Sequence, residues 1–521
     1  MVSTGDSSNR RREFARRFLQ TAVVIDDEAY MPESGIDAPK SAVVPPSRHT
    51  HASSQEDRSP VGRSVEHTLD ARSIMDSFAD LGVICGVVGP PESVTEMMRQ
   101  ADIVVLDWLL REGDPQYALS LLGDLLTRET DRNSLRLVAI YTGEARLEEI
   151  HADIFAQLMK AGLDPEEKES KTVVSYPHGR VVLYAKSDVN LSDALKDRSV
   201  KEGDLPGRLI EDFAAMTEGL LPSIAVTSLT AVREGAHMVL DRFCADLDPA
   251  FLAHRACLSN PEDAERQIVN HVAEELRGLM DNAVAALSPA GAAAVEDWIR
   301  HKNGRAARFV FGDRDLDLEQ TITLAKKGLE ASELKKKAFE ALSAGFAGDG
   351  VVNLDERLAW IMSFRTVFNA PPPRLWLGSV VTEIVDGNEK HLICMRPRCD
   401  CVRLDKETSF FFLPLVEPGN LKEQLVVRIG NEFKRLGVGR DPAGWVLRQF
   451  NPSEDNRAVT AIKEENSGAF VFTDTREKRY TWQGELKDEY AQRIAHSFTT
   501  TLSRVAVAES EWLRRMAAKG S

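Results

Sequence analysis

Five polar residues of this chain have the types and the spacing for phosphoryl-transfer chemistry. Asp26-Asp27 follows the apolar run Thr21 to Ile25, and Asp107 follows Ile103 to Leu106. Thr142 closes the run Leu135 to Tyr141, and Lys186 comes two residues after Val181 to Tyr184. Mg²⁺ takes hard oxygen ligands and keeps several waters, and Asp26, Asp27 and Asp107 can supply such oxygens. An aspartate can also act as a nucleophile and become an aspartyl phosphate. Transfer then needs charge neutralisation on the phosphoryl oxygens and little else. The metal and Lys186 would provide it, and the Thr142 hydroxyl would donate a hydrogen bond to the transferred group.

These residues meet only if the apolar runs are strands of one sheet. The runs are nearly continuous in apolar residues, as strands buried on both faces should be. A further run, Leu81 to Val88, ends in Gly89-Pro90 and offers nothing polar, as expected of an edge strand. Helical patterns at 72–80, 92–100, 115–128 and 145–160 lie between the runs. Strand-helix alternation predicts a parallel, doubly wound sheet. Ligands of such sheets sit outside the carboxyl ends of the strands, where all five residues fall.

Residues 20–190 resemble the receiver domain of two-component response regulators. The matching motifs are Val24-Ile25-Asp26-Asp27-Glu28, Val104-Val105-Leu106-Asp107, Ile140-Tyr141-Thr142-Gly143 and Leu183-Tyr184-Ala185-Lys186. Each motif alone is weak. Four in order, each at a strand end, outweigh the bland reading of ordinary loop residues. The resemblance implies a flavodoxin-like sheet of five parallel strands. It also implies an acid pair, Asp26 and Asp27, that binds Mg²⁺ together with Asp107 and the backbone carbonyl of Leu109. Asp107 would be phosphorylated by a sensor histidine kinase, and Thr142 and Lys186 would read the phosphoryl group. Several positions depart from the family pattern. Arg111 and Ser187 stand where prolines are usual, and Leu183 replaces the switch aromatic, with Tyr184 one place later. The whole chain is also similar to a long, insertion-bearing bacterial family found in Detocs-type anti-phage systems. Leu375-Trp376-Leu377-Gly378, Met395 to Asp400 and Glu511 to Arg515 carry that likeness.

The remaining sequence divides the chain into a receiver domain over 1–200, a helical domain over 201–345 and an α+β output domain over 346–521. Residues 31–66 hold Pro32, Pro39, Pro45, Pro46 and Pro60 among polar residues, which predicts a long mobile insertion. An extra short strand is expected at Thr172 to Tyr176. Asp204 is expected to cap a helix bearing Leu209, Phe213 and Met216, with Pro206 in its first turn. Further helices are expected near 226–246, 262–287, 291–301 and 317–344. A helix from Leu354 to Phe368 should stop at Pro371-Pro372-Pro373. Strands are then expected at 375–385 and 391–395 around an Asp386-Gly387-Asn388 turn, and at 410–415, 424–428, 445–450, 458–462 and 469–473. A closing helix carries Leu486, Tyr490, Ile494 and Phe498.

Composition narrows the function. Lys and Arg number 65 and Asp and Glu 81, for a net charge of −16. Such a chain has no global attraction to nucleic acid or anionic membranes. Six cysteines in 521 residues form no disulfide framework, which suits the cytoplasm. No run of 18 apolar residues is present, and the start lacks the apolar core of a secretory signal. Cys394, Cys399 and Cys401 with His391 have the donors for zinc, but strand residues beside a tight turn are the more economical reading. Arg396, Arg398 and Arg403 offer an anion or partner site against the simpler reading of solvated edge charge. Lys335-Lys336-Lys337 reads as a solvated helix face, His49 and His51 lack a ligand framework, and Arg10 to Arg17 with Phe14 and Phe18 reads as a lead helix packed on the first domain.

The expected function is that of a phosphorelay response regulator with a protein-interaction or phosphate-sink output, in anti-phage defence if the wider likeness holds. It is expected to have no separate catalytic domain. The expected partners are the sensor kinase, a downstream effector protein and a second copy in a homodimer, with no membrane. The alternative is a DNA-binding transcriptional response regulator; the large mixed C-terminal region, without a short basic helix-turn-helix, weighs against nucleic acid.

Overall fold

The structure, a computed structural model, describes residues 4–31, 68–91, 93–110, 114–129, 135–166, 170–302, 308–311, 314–331, 342–347, 353–366, 372–421, 423–439, 441–455 and 457–502. Apart from Met31 the expected mobile insertion lies outside the described residues, as do Arg111, Lys335 to Lys337 and Glu511 to Arg515. Contacts divide the chain into two compact units, Met1–Arg308 with Leu316–Leu334, and Phe309–Asp315 with Lys335–Ser521. These boundaries fall elsewhere than at 200 and 345, because the helices that follow the first sheet group with it.

In the first unit, helix α1 (Thr4–Phe18) leads into strand β1 (Thr21–Ile25). Helix α2 (Ala71–Asp80) follows, its first turn capped by the Asp70 carboxylate, which accepts from the amides of Arg72 and Ser73. Then come β2 (Ile84–Val88), α3 (Val94–Gln100), β3 (Ile103–Leu106), α4 (Pro115–Glu129), β4 (Arg136–Thr142) and α5 (Leu147–Lys160). The sheet closes with β5 (Val173–Tyr176), β6 (Gly179–Lys186) and the short β7 (Ser199–Val200). Strand order is β2-β1-β3-β4-β6-β5, with β7 also on β6. The pairs from β2 to β6 are parallel, and this is the flavodoxin-like order expected.

The expected count of five strands needs correction. The sheet has seven strands and is mixed, because β5 runs antiparallel to β6. The cause is local. Pro177-His178 makes a two-residue turn, and Gly179 then lies so close to the chain that an added Cβ would sit 2.5 Å from the Arg136 carbonyl oxygen. The chain can therefore fold β5 back along the edge of β6. Side chains alternate across the sheet. Ile25, Leu106, Ile140 and Leu183 join α3, α4 and α5 in one core. Val24, Val105, Tyr141, Val182 and Tyr184 join residues of α1 and α2 in the other.

The chain continues with α6 (Leu205–Met216), α7 (Leu220–Arg242), α8 (Asp248–Cys257), α9 (Asp263–Leu287) and α10 (Ala292–Lys302). Asp204 stands at the expected N-cap of α6 but makes no side-chain cap bond. Helix α7 begins earlier than expected and contains Pro222. That proline lies in the first turn, where the amide it lacks has no helical partner anyway. After β8 (Arg308–Phe311) and β9 (Arg314–Asp317), helix α11 (Leu318–Lys327) ends at Gly328, whose φ of +81° suits glycine alone. The single helix expected over 317–344 is therefore broken.

Helix α1 packs as a lead helix. Phe18 stacks on Phe213 at 5.5 Å, and Arg17 pairs with Glu234 at 2.6 Å. Arg233 of α7 reaches the base of the sheet. Its guanidinium meets both carboxylate oxygens of Asp102, at 2.8 and 2.9 Å, and lies 4.9 Å above the Phe18 ring. Burial pushes the Asp102 carboxyl up, but hydrogen bonds from Arg233 and the Gln20 and Thr21 amides outweigh it and hold it low. We expect Arg233→Ala to destabilise this unit by about 1.5–3 kcal/mol, the range for hydrogen bonds to a charged group. Lysine should restore little of it, having no planar fork. Urea unfolding read by hydrogen exchange at the start of β1 and β3 checks this, and an unchanged midpoint would refute it.

The second unit holds α12 (Leu342–Ala347), α13 (Leu354–Ser363) and a nine-stranded sheet in which every pairing is antiparallel. Its strands are β10 (Ser379–Val385), β11 (Asn388–Cys394), β12 (Thr408–Val416), β13 (Gln424–Ile429), β14 (Glu432–Val438), β15 (Val446–Phe450), β16 (Ile462–Lys463), β17 (Phe470–Thr473) and β18 (Arg479–Glu485). Helix α14 (Asp488–Leu502) closes the unit. Asp386 and Gly387 both have positive φ, 51° and 79°, the signature of a two-residue hairpin turn. Helix α13 stops at Ser363, short of the expected Phe368, because Phe364 turns extended and bridges Leu486. Strands β14 and β18 were not expected, since Glu432 to Val438 and Arg479 to Glu485 carry polar residues in an irregular pattern.

Cys394 and Cys401 lie in the apolar core of this sheet, and Cys399 is exposed. Burial pushes the Cys401 thiol up to about 12. His391 bonds the Thr382 hydroxyl at 2.9 Å. Among the described residues no group of three or more His, Cys, Asp or Glu is placed to hold a metal ion. Arg396 donates to the carbonyls of Asp400 and Ser409. Arg398 pairs with Glu485 and Asp488 above the Trp376 ring. Both arginines thus have partners inside the unit.

Candidate phosphoryl-acceptor site

The parallel register sets the site. Ile25 pairs with Leu106, Leu106 with Ile140, and Thr142 with Ala185, so the residues after these strand ends share one edge of the sheet. Asp107 keeps the strand going for one more bond, its amide donating to the Ile25 carbonyl at 2.9 Å.

Three side chains meet directly. The Lys186 ammonium donates to Asp26 Oδ2 at 2.9 Å and to Asp107 Oδ2 at 3.2 Å. All three are buried, with side-chain exposures of 2%, 2% and 7% for Lys186, Asp26 and Asp107. Each carboxylate spends its other oxygen on a backbone amide two residues ahead. The Glu28 amide donates to Asp26 Oδ1 at 2.8 Å, and the Leu109 amide points at Asp107 Oδ1 at 3.4 Å. Asp and Asn favour such local bonds, and here they fix both acids with one oxygen facing inward.

Two carboxylates against one ammonium leave the cluster short of positive charge. Burial raises Asp107 to about 6; the neighbouring Lys186 lowers it and Asp26 raises it further. Burial alone would lower Lys186, but the charges of Asp107 and Asp26 outweigh it and hold the ammonium above its usual range. A shift caused by desolvation and a named charge partner is what functional sites show.

Thr142 is fully buried at the end of β4, and its hydroxyl accepts from the Glu144 amide at 3.1 Å. Asp27, the next residue along the chain, is exposed. Leu109 touches the cluster through its amide. Mg²⁺ is commonly held by one or two carboxylates and several waters. The hard oxygens of Asp26 and Asp107, with a deficit of positive charge between them, fit such an ion by donor type. No cluster of three acids forms around them among the described residues.

The aromatic next to the lysine motif does not stand in for the missing switch residue. Leu183 lies in one core and Tyr184 in the other, since neighbours on a strand point to opposite faces. The Tyr184 hydroxyl donates to Asp212 Oδ2 of α6 at 2.6 Å, and the Tyr141 hydroxyl donates to the Val200 carbonyl at 2.8 Å. Both phenols are thus tied to a fixed acceptor. Neither Asp212 nor Val200 has a sequence signal as a partner, because α6 and β7 carry them and both follow the lysine motif.

A buried aspartate, a second aspartate, a lysine and a strand-end threonine thus gather at the carboxyl edge of a doubly wound sheet. Residues 18–191 match the family model described as the response receiver domain. Over these residues the chain is similar to the receiver domains of two-component response regulators. Comparison with curated proteins and with solved structures gives no match.

Proposed function

We propose that this protein is a response regulator that accepts a phosphoryl group on Asp107 from a sensor histidine kinase. The observation that carries the reading is the buried Asp26–Lys186–Asp107 cluster at the carboxyl ends of β1, β3 and β6. In the transfer, an ionised Asp107 oxygen forms a bond to phosphorus while the P–N bond to the kinase histidine breaks. The departing imidazole keeps the electron pair. Mg²⁺, when bound by Asp26, Asp107, the Leu109 carbonyl and the neighbouring Asp27, supplies positive charge to the phosphoryl oxygens. Lys186 moves its ammonium from the carboxylate to the new phosphoryl oxygen, and the Thr142 hydroxyl turns from accepting the Glu144 amide to donating to that group. The protein needs no separate catalytic domain for this, since the receiver promotes its own acylphosphate chemistry.

The output is read as protein interaction or as a phosphate sink in the cytoplasm, within anti-phage defence of the Detocs type. The net charge of −16 supports a partner other than nucleic acid. Among the described residues the second unit is a large mixed domain, an antiparallel sheet with helices α12, α13 and α14, rather than the short basic helix-turn-helix of the DNA-binding alternative. Leu183 and Ser187 in place of the family's aromatic and proline favour acceptance over a strong conformational switch.

The test uses a small-molecule phosphodonor and Mg²⁺ with a phosphate-affinity gel. Wild type should shift and Asp107→Ala should not; an equal shift removes Asp107 from the assignment. One kinase given this protein and a second receiver then reads the output. Wild type should lower phosphorylation of the second receiver, and Asp107→Ala should leave it unchanged.

A further inference from the structure

The second unit carries a cavity that phosphoryl acceptance does not use. It has a volume of about 250 Å³ and lies among α13, β13, β14 and α14. Its floor is apolar and built into the core: Leu425, Leu486 and Ile494 are all buried. At its rim stand Met362, which is 55% exposed, and two guanidinium groups, Arg435 and Arg493.

The charge at this rim has one sign. Among the described residues no aspartate or glutamate lines the cavity. Arg435 donates to the amide oxygen of Gln424 at 3.0 Å, and Arg493 lies 4.8 Å above the Tyr490 ring. Among the described residues neither guanidinium has a carboxylate partner. Of the acids nearby in the chain, Glu432 on β14 and Glu489 on α14 are not among the cavity's lining residues, and Glu423 accepts from the Ser497 hydroxyl at 2.5 Å. In a chain of net charge −16, two arginines facing one apolar cavity without an acid between them are a local reversal. Guanidinium is the group suited to planar, two-pronged recognition of a carboxylate.

We propose that this cavity binds a medium-chain aliphatic carboxylate, with its alkyl tail on Leu425, Leu486, Ile494 and Met362 and its head between Arg435 and Arg493. The size supports a small ligand, since the volume falls just under the range of drug-sized sites. The chemistry supports an amphiphile, because apolar wall and cationic rim are segregated. The site stands on the second unit alone and is independent of the receiver reading.

The probe is sodium decanoate, titrated into the full-length protein by isothermal calorimetry, with decylamine and acetate as arms. Decanoate should bind one per chain with a dissociation constant of about 10–300 µM, as the ligand-efficiency bound allows. Acetate should not bind measurably, and decylamine should bind at least about tenfold more weakly. Arg435→Gln with Arg493→Gln, both on exposed side chains, should weaken decanoate at least about tenfold. Ala359→Trp, at the rim, should block it while leaving the arginines in place. No decanoate binding, equal binding of decylamine, or decanoate binding unchanged in both variants would overturn the site. Neither Asp107→Ala nor prior phosphorylation is expected to change the titration, so this outcome and that of the receiver tests are read separately.

Discussion

Asp107→Asn should abolish phosphoryl acceptance and at the same time make the receiver more stable at pH 8. Both follow from the two-to-one charge ratio of the buried cluster. With Asn at 107 one carboxylate, Asp26, faces one ammonium, and the amide oxygen can still accept from Lys186. The folded Asp107 titrates near 6 and the unfolded residue near 3.8, so the folded state holds its proton longer. Its share of stability is therefore present at low pH and lost as pH rises from about 4 to about 6. The gap between those two values corresponds to at most about 3 kcal/mol, and a coupled cluster distributes that over all its members. We expect the variant to gain about 1–3 kcal/mol at pH 8 and to lose the downward slope between pH 4 and 6. Urea titrations at several pH values, read by hydrogen exchange in β1, β3 and β6, give the comparison. An Asn variant less stable than wild type at pH 8 would mean that Asp107 is not short of positive charge. The same titration bears on activity. Acceptance of phosphate needs the ionised carboxylate, so in the wild type it should fall as the pH drops below about 6, and bound Mg²⁺ should move that fall to lower pH.

The five strand-end residues were legible because buried parallel strands declare themselves. Val23 to Ile25, Ile103 to Leu106 and Val138 to Tyr141 are apolar without interruption, so the polar residue after each marks a strand end. Register then did what spacing could not do. It placed Asp26, Asp107 and Lys186 within one hydrogen bond of each other, although 160 positions separate the outer two. Other features depend on contacts that leave no trace in the local sequence. The folding back of β5 depends on the close approach of Gly179 to Arg136. The clamp of Arg233 on Asp102 joins residues 131 positions apart, and neither fits a motif. Tyr184 illustrates the limit of motif matching. It stands one position from the family's aromatic, and on a strand one position means the opposite face, where Asp212 holds it. The second unit was harder to read, since β14 and β18 mix charges with half-buried aromatics and break the alternation that announces a strand. Gly328 and Phe364 ended helices whose apolar periodicity continues past them.

Lys186→Met should destabilise the receiver more than any other single change in the site. Methionine keeps most of the side-chain length and its apolar contacts but removes the ammonium. Asp26 and Asp107 are then left buried side by side with no cation, and removing one partner of a buried pair typically costs about 3–5 kcal/mol. Its raised pKa in the folded state means that the stability Lys186 gives is present below the unfolded value near 10.5 and is lost as pH rises through the folded one. The deficit of the variant should therefore be full at pH 8. It should shrink toward pH 4, where Asp107 takes up its proton. Three further measurements separate charge from packing. Lys186→Arg should recover part of the loss. Lys186→Met combined with Asp107→Asn should cost less than Lys186→Met alone, because a single carboxylate then remains; a double-mutant cycle measures that coupling directly. Millimolar Mg²⁺ should stabilise Lys186→Met more than wild type, since the ion replaces the missing positive charge between Asp26 and Asp107, whereas buffer free of divalent ions should give no such rescue. If Lys186→Met is as stable as wild type at pH 8 without divalent ions, the ammonium does not hold the acid pair together. If the loss is real but neither Asp107→Asn nor Mg²⁺ reduces it, packing of the lysine stem is the cause and the electrostatic account of the site fails.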